Sequence, residues 1–280
     1  MKLSFSTNAF KRKSVFEAVR SIASIGYCGA EILCDVPHLY PPEWNETMYR
    51  KLSDYARECS LEIVNLNAFT FFAKGDTYNP SWIDPDPVVR RQRVDHTIGA
   101  IDAAARLGVA CISTEPGGTY SVTDGDINPM LDLFEKGMKQ VIPYACDRNV
   151  KLLIEPEPEL LIEHSDSMLS FLDRLNSPQV GVNFDIGHFY CVGEDPVDAL
   201  RLLYPYVGHV HLEDISQRVH QHLVPGQGDI DFRPVLSFLY DRGYSGYVTV
   251  ELYPYQEKPE EAAMLSLEYM RRFDDLFERI

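Results

Sequence analysis

The sequence predicts a single (β/α)₈ barrel over residues 1–280, with eight parallel strands inside an outer ring of helices. Two observations predict it. Short β-branched runs alternate with longer helical patterns from one end to the other, and strict alternation of that kind calls for a parallel sheet. The strand-type runs number eight, which favours closure into a barrel over an open doubly wound sheet.

In chain order the predicted strands are 2–8, 29–34, 61–67, 109–114, 150–155, 180–185, 206–212 and 246–251. Helical patterns fall at 14–25, 45–59, 88–107, 126–148, 165–175, 196–204, 232–242 and 259–279. Gly26, Gly108 and Gly243 each follow a helical run and precede a strand, as helix C-terminal caps do. Asp195, before Pro196, and Asp231, shortly before Pro234, read as N-caps with proline in the first turn. Within 88–107, Val94, Ile98, Ile101 and Ala105 share one face, which leaves Arg90, Arg91 and Arg93 to solvent.

Composition narrows the function. Hydrophobic residues at 45% suffice for a large core. A formal net charge of −16 opposes nucleic-acid binding, which needs a basic footprint to displace counterions. No apolar run approaches the ~18 residues of a membrane span, and the first residues lack the apolar segment of a signal peptide. Six scattered cysteines, without C-x-x-C spacing, read as reduced and mainly buried thiols of a cytoplasmic protein.

Long loops at 35–44, 68–87, 115–125 and 213–230 all follow strands, so they gather at the C-terminal rim, where this fold places its chemistry. The loop 68–87 carries Phe69, Phe71, Phe72, Tyr78 and Trp82; it either roofs a sugar pocket or caps the barrel end.

Four polar residues close four consecutive strands at that rim: Glu155, Asp185, His211 and Glu251. Any one of them alone is ordinary, as an exposed loop residue, a helix cap or a core histidine. Together, at equivalent positions of neighbouring strands, they make an oxygen-rich set with one imidazole, suited to Mn²⁺, Mg²⁺, Co²⁺ or Zn²⁺. Carboxylates so close would repel strongly unless a cation neutralised them.

The segments IEPEP (154–158), NFDIGH (183–188), HVHLED (209–214), VPGQGDIDF (224–232) and VTVEL (248–252) extend the pattern. With them, essentially the whole chain resembles the xylose isomerase-like TIM barrel superfamily of sugar phosphate isomerases and epimerases. Its layout is most similar to ketose 3-epimerases and hydroxypyruvate isomerases. The resemblance implies one divalent ion, Mn²⁺ foremost, held by Glu155, Asp185, His211 and Glu251. It also implies that Glu155 and Glu251 act as an acid–base pair. Isomerisation or epimerisation removes a proton next to a carbonyl and returns it elsewhere, through a cis-enediolate whose oxygens a cation stabilises.

The resemblance extends to substrate contacts with less exact register. His188 matches a histidine that touches substrate oxygen. Arg218 lies one residue from the matching position, which is Gln217. Glu115 lines the pocket or caps the following turn, and His38 reaches the rim or is a solvated loop residue. His209, two residues before His211, points inward one layer deeper, as a supporting partner rather than a fifth ligand. A substrate-binding glutamate of the 3-epimerases is replaced by Leu161, so substrate identity does not transfer.

The expected partner is a small carbohydrate, a cyclitol or a hydroxy-ketone; Lys74, Arg218, His220, His222 and Gly117-Gly118 are thin provision for a phosphate, so a free substrate fits at least as well as a phosphorylated one. Neither nucleic acid nor membrane is expected, and a homo-oligomer is compatible with the fold. The main rival is a dehydratase on the same scaffold, which begins with the same proton removal. A non-catalytic barrel would not need the complete ligand set. A three-zinc abasic-site endonuclease would need further ligands, yet the first four strands end in Asn8, Cys34, Asn67 and Thr114.

Overall fold

The computed structural model describes residues 1–120 and 126–278. Its strands are β1 (Lys2–Ser6), β2 (Gly29–Leu33), β3 (Glu62–Asn67), β4 (Cys111–Thr114), β5 (Lys151–Ile154), β6 (Val180–Asp185), β7 (Val207–Leu212) and β8 (Tyr247–Val250). They close in sequence order into a barrel whose neighbours all pair in parallel. Each lies within a predicted run. The first stops two residues early because Thr7–Phe10 winds into a 3₁₀ turn capped by the Ser6 hydroxyl.

The helices are α1 (Val15–Ile25), α2 (Glu46–Glu58), α3 (Pro87–Leu107), α4 (Asn128–Asp147), α5 (Ser165–Leu175), α6 (Ile186–Cys191), α7 (Pro196–Leu203), α8 (Phe232–Asp241) and α9 (Pro259–Met270). Their ends follow local chemistry. Ser14 and Glu17 form a reciprocal capping box on α1. Asp195 and Asp231 cap α7 and α8 as their sequences predict. Gly26, Gly108 and Gly243 take positive φ after α1, α3 and α8. The short α6 was not expected; the Asp185 carboxylate starts it by accepting from the His188 N–H at 2.8 Å. After α9 the chain runs on as a 3₁₀ segment to Leu276.

Arg93 corrects the reading of α3. It is fully buried, not solvated, and donates to the carbonyls of Ala68, Phe69 and Pro80. Those carbonyls belong to an irregular loop with no ladder of its own, and Arg93 satisfies them. The buried stripe of α3 accordingly runs through Val94, Thr97, Ala100, Ile101 and Ala104, while Ala105 is exposed. The cysteines are all free thiols, but only Cys34 and Cys111 are fully buried. Among the described residues, no helix is long and apolar enough to cross a membrane.

The barrel interior is layered. Leu153 fills the lower part because Gly181 and Gly208 make room; a Cβ on them would lie 3.0 and 2.6 Å from its methyl carbon. Polar residues replace apolar ones higher up. Ser4 and Thr249 hydroxyls meet at 2.6 Å, and Thr249 Oγ1 lies 2.7 Å from His209 Nε2. That polar layer is the floor of the site.

Candidate metal centre

Glu155, Asp185, His211 and Glu251 converge at the C-terminal mouth of the barrel. One ligand-type atom from each lies within 4.8 Å of all the others, and all four side chains are buried. Their placement is dictated by strand periodicity: Asp185 ends β6, Glu155 and Glu251 immediately follow β5 and β8, and His211 is the last residue but one of β7.

His211 sits at the centre. Its Nδ1 is 2.7 Å from Glu155 Oε1, 3.7 Å from Glu251 Oε2 and 3.9 Å from Asp185 Oδ2. Its Nε2 is 2.7 Å from Glu31 Oε2. Burial alone would lower its pKa, but the carboxylates of Glu155, Glu31 and Glu251 outweigh burial and hold the imidazole protonated. Burial would raise Glu31, and the same imidazole instead holds it down to about 2. Glu251 moves the other way, pushed well above the usual carboxylate range by burial and by its repulsion from Glu155, Glu31 and Asp185. Buried carboxylates this close to one another are groups that a divalent cation would neutralise.

The donor set fits a cation on a second count. Asp185 spends Oδ1 on the α6 cap, and its buried Oδ2 has no hydrogen-bond partner. Glu213, which follows β7, is also buried with both oxygens unpaired. Burial and the nearby Asp185 carboxylate push Glu213 well above its ordinary pKa. Gly187 is what admits Glu213 here, because a Cβ at that position would sit 1.7 Å from Glu213 Oε1.

Above the cluster lies a cavity of about 310 Å³. Glu155 and Glu251 line it, whereas Asp185 and His211 do not. Asn8 and Asn67 donate to Glu251 Oε1 at 2.7 and 3.0 Å, which leaves Oε2 for the cluster. Glu157 lines the cavity as well, accepts from the Tyr78 hydroxyl at 2.7 Å, and is raised by burial to about 7.

The aromatic loop divides its labour. Phe69, Phe72 and Tyr78 line the cavity, while Phe71 stacks on His96 and Trp82 is buried against Phe134. Asp35 holds the loop by accepting from Thr70, Phe72 and Ala73.

The remaining expected residues separate. His188 lines the cavity, with Nδ1 donating to the Pro156 carbonyl at 2.9 Å. His209 lies one layer below His211, 2.7 Å from Thr249 Oγ1 and 3.6 Å from Glu31 Oε2.

Three others lie outside the cavity lining, each for a visible reason. Arg218 is exposed; it occupies a left-handed turn at φ 59°, and its guanidinium donates to the Tyr190 carbonyl and packs over that ring. Glu115 is buried 3.7 Å from Arg93 and accepts from the Trp82 N–H, anchoring the aromatic loop. His38 is buried within hydrogen-bond reach of the Thr7 hydroxyl and the Phe10 and Lys13 carbonyls.

Reading only strand ends misses Glu31, Asn8 and Asn67. Glu31 lies in mid-strand; the signal was a charged residue inside the apolar run GAEIL. Asn8 and Asn67 stood at predicted strand ends but carry no charge.

Residues 19–273 match the family described as Xylose isomerase-like TIM barrel, and the chain belongs to that family. It is similar to fructoselysine 3-epimerase of Shigella flexneri, with 26% identity over 97% of each chain. Among solved structures it is similar to a D-tagatose 3-epimerase-like protein, with a TM-score of 0.77 and 22% identity over 98% of this chain and 99% of that one. It is also similar to the IOLI protein carrying a zinc atom, with a TM-score of 0.76 and 19% identity over 99% of this chain and all of that one.

Proposed function

We propose that the protein is a divalent-metal-dependent isomerase or epimerase of a small carbohydrate, cyclitol or hydroxy-ketone, working by proton transfer next to a carbonyl. One observation carries this reading: of the four converging residues, the two glutamates face the cavity and the aspartate and histidine lie behind them. Asp185 and His211, set back from the cavity, are suited to hold an ion but not to reach a substrate. Glu155 and Glu251 can also hold it and still reach a substrate. When bound, the ion, Mn²⁺ in our reading, supplies Lewis-acid polarisation of the substrate carbonyl and its neighbouring hydroxyl.

The protein supplies the rest. One glutamate takes the proton from carbon and the other returns it, each able to serve as acid or base. Asn8 and Asn67 fix the Glu251 carboxylate through Oε1. Phe69 and Phe72 wall the cavity against water. His188, with its Nδ1 proton spent on Pro156, presents Nε2 toward substrate oxygens. The names of fructoselysine 3-epimerase and the tagatose 3-epimerase-like protein support a ketose, and the zinc of the IOLI protein supports a metal.

The test is incubation of metal-loaded protein with a ketose and cyclitol panel in D₂O. Deuterium entering carbon next to the carbonyl, lost in Glu251→Gln, is the expected result. Loss of water from a cyclitol would instead assign a dehydratase. No exchange on any candidate, with Glu251→Gln indistinguishable from the parent on a substrate found otherwise, would refute proton transfer by these glutamates.

A further inference from the structure

The proposed reaction leaves one side of the cavity, formed by the segments after β1 and β3, without a chemical role. There the chain runs through Lys11, Arg12 and Lys13, directly after the 3₁₀ turn Thr7–Phe10. Arg12 pairs with Glu257 and Lys13 pairs with Glu260. Lys11 lines the cavity instead, and among the described residues its ammonium has neither an ion pair nor a hydrogen bond. No other lysine or arginine among the described residues lines that cavity.

The carboxylates that act on Lys11, Glu251 and Asp35, are committed elsewhere. Both Asp35 oxygens are engaged by the Thr70 hydroxyl and by the N–H groups of Val36, Phe72 and Ala73. Glu251 gives Oε1 to Asn8 and Asn67 and turns Oε2 toward the imidazoles of His211 and His222, at 3.7 and 3.4 Å. Burial accordingly outweighs their attraction and lowers the Lys11 pKa.

A ring holds the ammonium in place. Lys11 Nζ lies 4.5 Å from the centroid of Phe72, which also lines the cavity. A ring face attracts the charge but offers its three N–H donors no oxygen. An unpaired, half-buried cation is costly, and a negatively charged ligand oxygen would supply what the protein omits.

The cavity also limits the anion. Its volume of about 310 Å³ suits one small molecule. Glu155, Glu157 and Glu251 line the same space, and the chain carries a net charge of −16, so repulsion disfavours a multiply charged group. One ammonium matches one carboxylate.

We infer that Lys11 receives an anionic oxygen group of the substrate, a carboxylate in preference to a phosphate, so that the substrate is a sugar acid or another hydroxy-keto acid. The inference deepens the proposed reaction and rests on it in one respect, that this cavity is the substrate's.

Calorimetric binding to the metal-loaded protein tests this without turnover. The ligands are ketohexoses and, on the same carbon skeletons, ketohexuronates with a carboxylate at C6 and ketohexose 6-phosphates. For at least one skeleton the uronate should bind ~10-fold or more tighter than the neutral sugar, the worth of one charge-assisted hydrogen bond. Lys11→Met should bring that ratio near one, and Lys11→Arg should keep it. A carboxylate that merely ligates the ion keeps its advantage in Lys11→Met, so the lysine-dependent part is the readout. Lys11→Gln replaces the methionine variant if circular dichroism shows that it unfolds. A lysine-dependent preference for the phosphate over the uronate would support the anion and assign it as phosphate. Equal affinities for neutral and acidic sugars in the parent, or a ratio undiminished in the folded variant, would overturn the inference. The two readings fail separately. A lysine-dependent preference without deuterium exchange would refute the proton transfer and support this site, whereas exchange on a neutral ketose with no preference for acids would refute this site alone.

Discussion

Glu31 Oε2 and His211 Nε2 are 2.7 Å apart, on the side of the imidazole away from Glu155. A carboxylate behind a ligating histidine fixes the ring's orientation and raises its basicity, and losing it costs ~10–100-fold in metal affinity in comparable sites. Glu31 also accepts from Ser6, Asn65 and Asn67, so its charge is matched on every side. Glu31→Gln should weaken binding at the carboxylate site by ~10–100-fold, read by competition against a chelating dye. Unchanged affinity would mean that His211 is not a ligand.

Glu251 is held by two neutral donors, Asn8 at 2.7 Å and Asn67 at 3.0 Å, and both reach the same oxygen. Removing one lets the carboxylate swing, and a misplacement of about 1 Å can cost ~100-fold in rate. Asn8→Ala should lower kcat for solvent exchange by ~10–100-fold, leave KM nearly unchanged and shift the pH profile. A change confined to KM would assign Asn8 to substrate binding instead.

Metal removal should destabilise the fold, since Glu155, Asp185 and Glu251 are buried around a single imidazole. A ligand at 100 times its Kd contributes ~2.7 kcal/mol to stability. Exhaustive chelation should therefore lower Tm by several degrees, with recovery on adding Mn²⁺ or Zn²⁺. A Tm indifferent to chelator and metal would argue against any resident ion.

Much of this site was legible because strand periodicity is strict. A residue ending an apolar β run must face in or out, and inward-facing ends of parallel strands meet at one rim, which is how Glu155, Asp185, His211 and Glu251 emerge from spacing alone. Contacts made by loops follow no such period. Arg218 stands one residue from its expected place, and in a left-handed turn that offset sends the guanidinium to Tyr190. Arg93 was hidden by an analogous gap: helix periodicity gives a face, but not the loop carbonyls waiting beside it. Glu31 was hidden by looking only where strands stop.

Arg218 gives a sharp contrast between sequence register and structure. Its guanidinium is exposed and committed to Tyr190, outside the cavity lining. Arg218→Ala should leave kcat and KM within about twofold of the parent, as surface substitutions away from special features do little. A tenfold rise in KM would restore it as a substrate contact.

The contribution of His96 to stability should fall on mild acidification. The side chain is buried, stacked on Phe71 at 4.3 Å, and neither ring nitrogen has a hydrogen-bond partner. Burial, reinforced by Arg93, lowers its pKa to about 3, and burial lowers that of His38 to about 4. In the unfolded chain both return to about 6.5. Between that value and the folded one, the unfolded chain binds a proton that the folded chain does not. The contribution of each histidine is therefore full above pH 6.5 and declines as pH falls, by ~2 kcal/mol near pH 5. His96→Phe keeps a flat ring on Phe71 and has nothing to protonate. Its loss of stability between pH 7.5 and pH 5, measured by urea denaturation, should be smaller than the parent's by ~2 kcal/mol. An identical loss in both proteins would show that His96 titrates normally in the folded state.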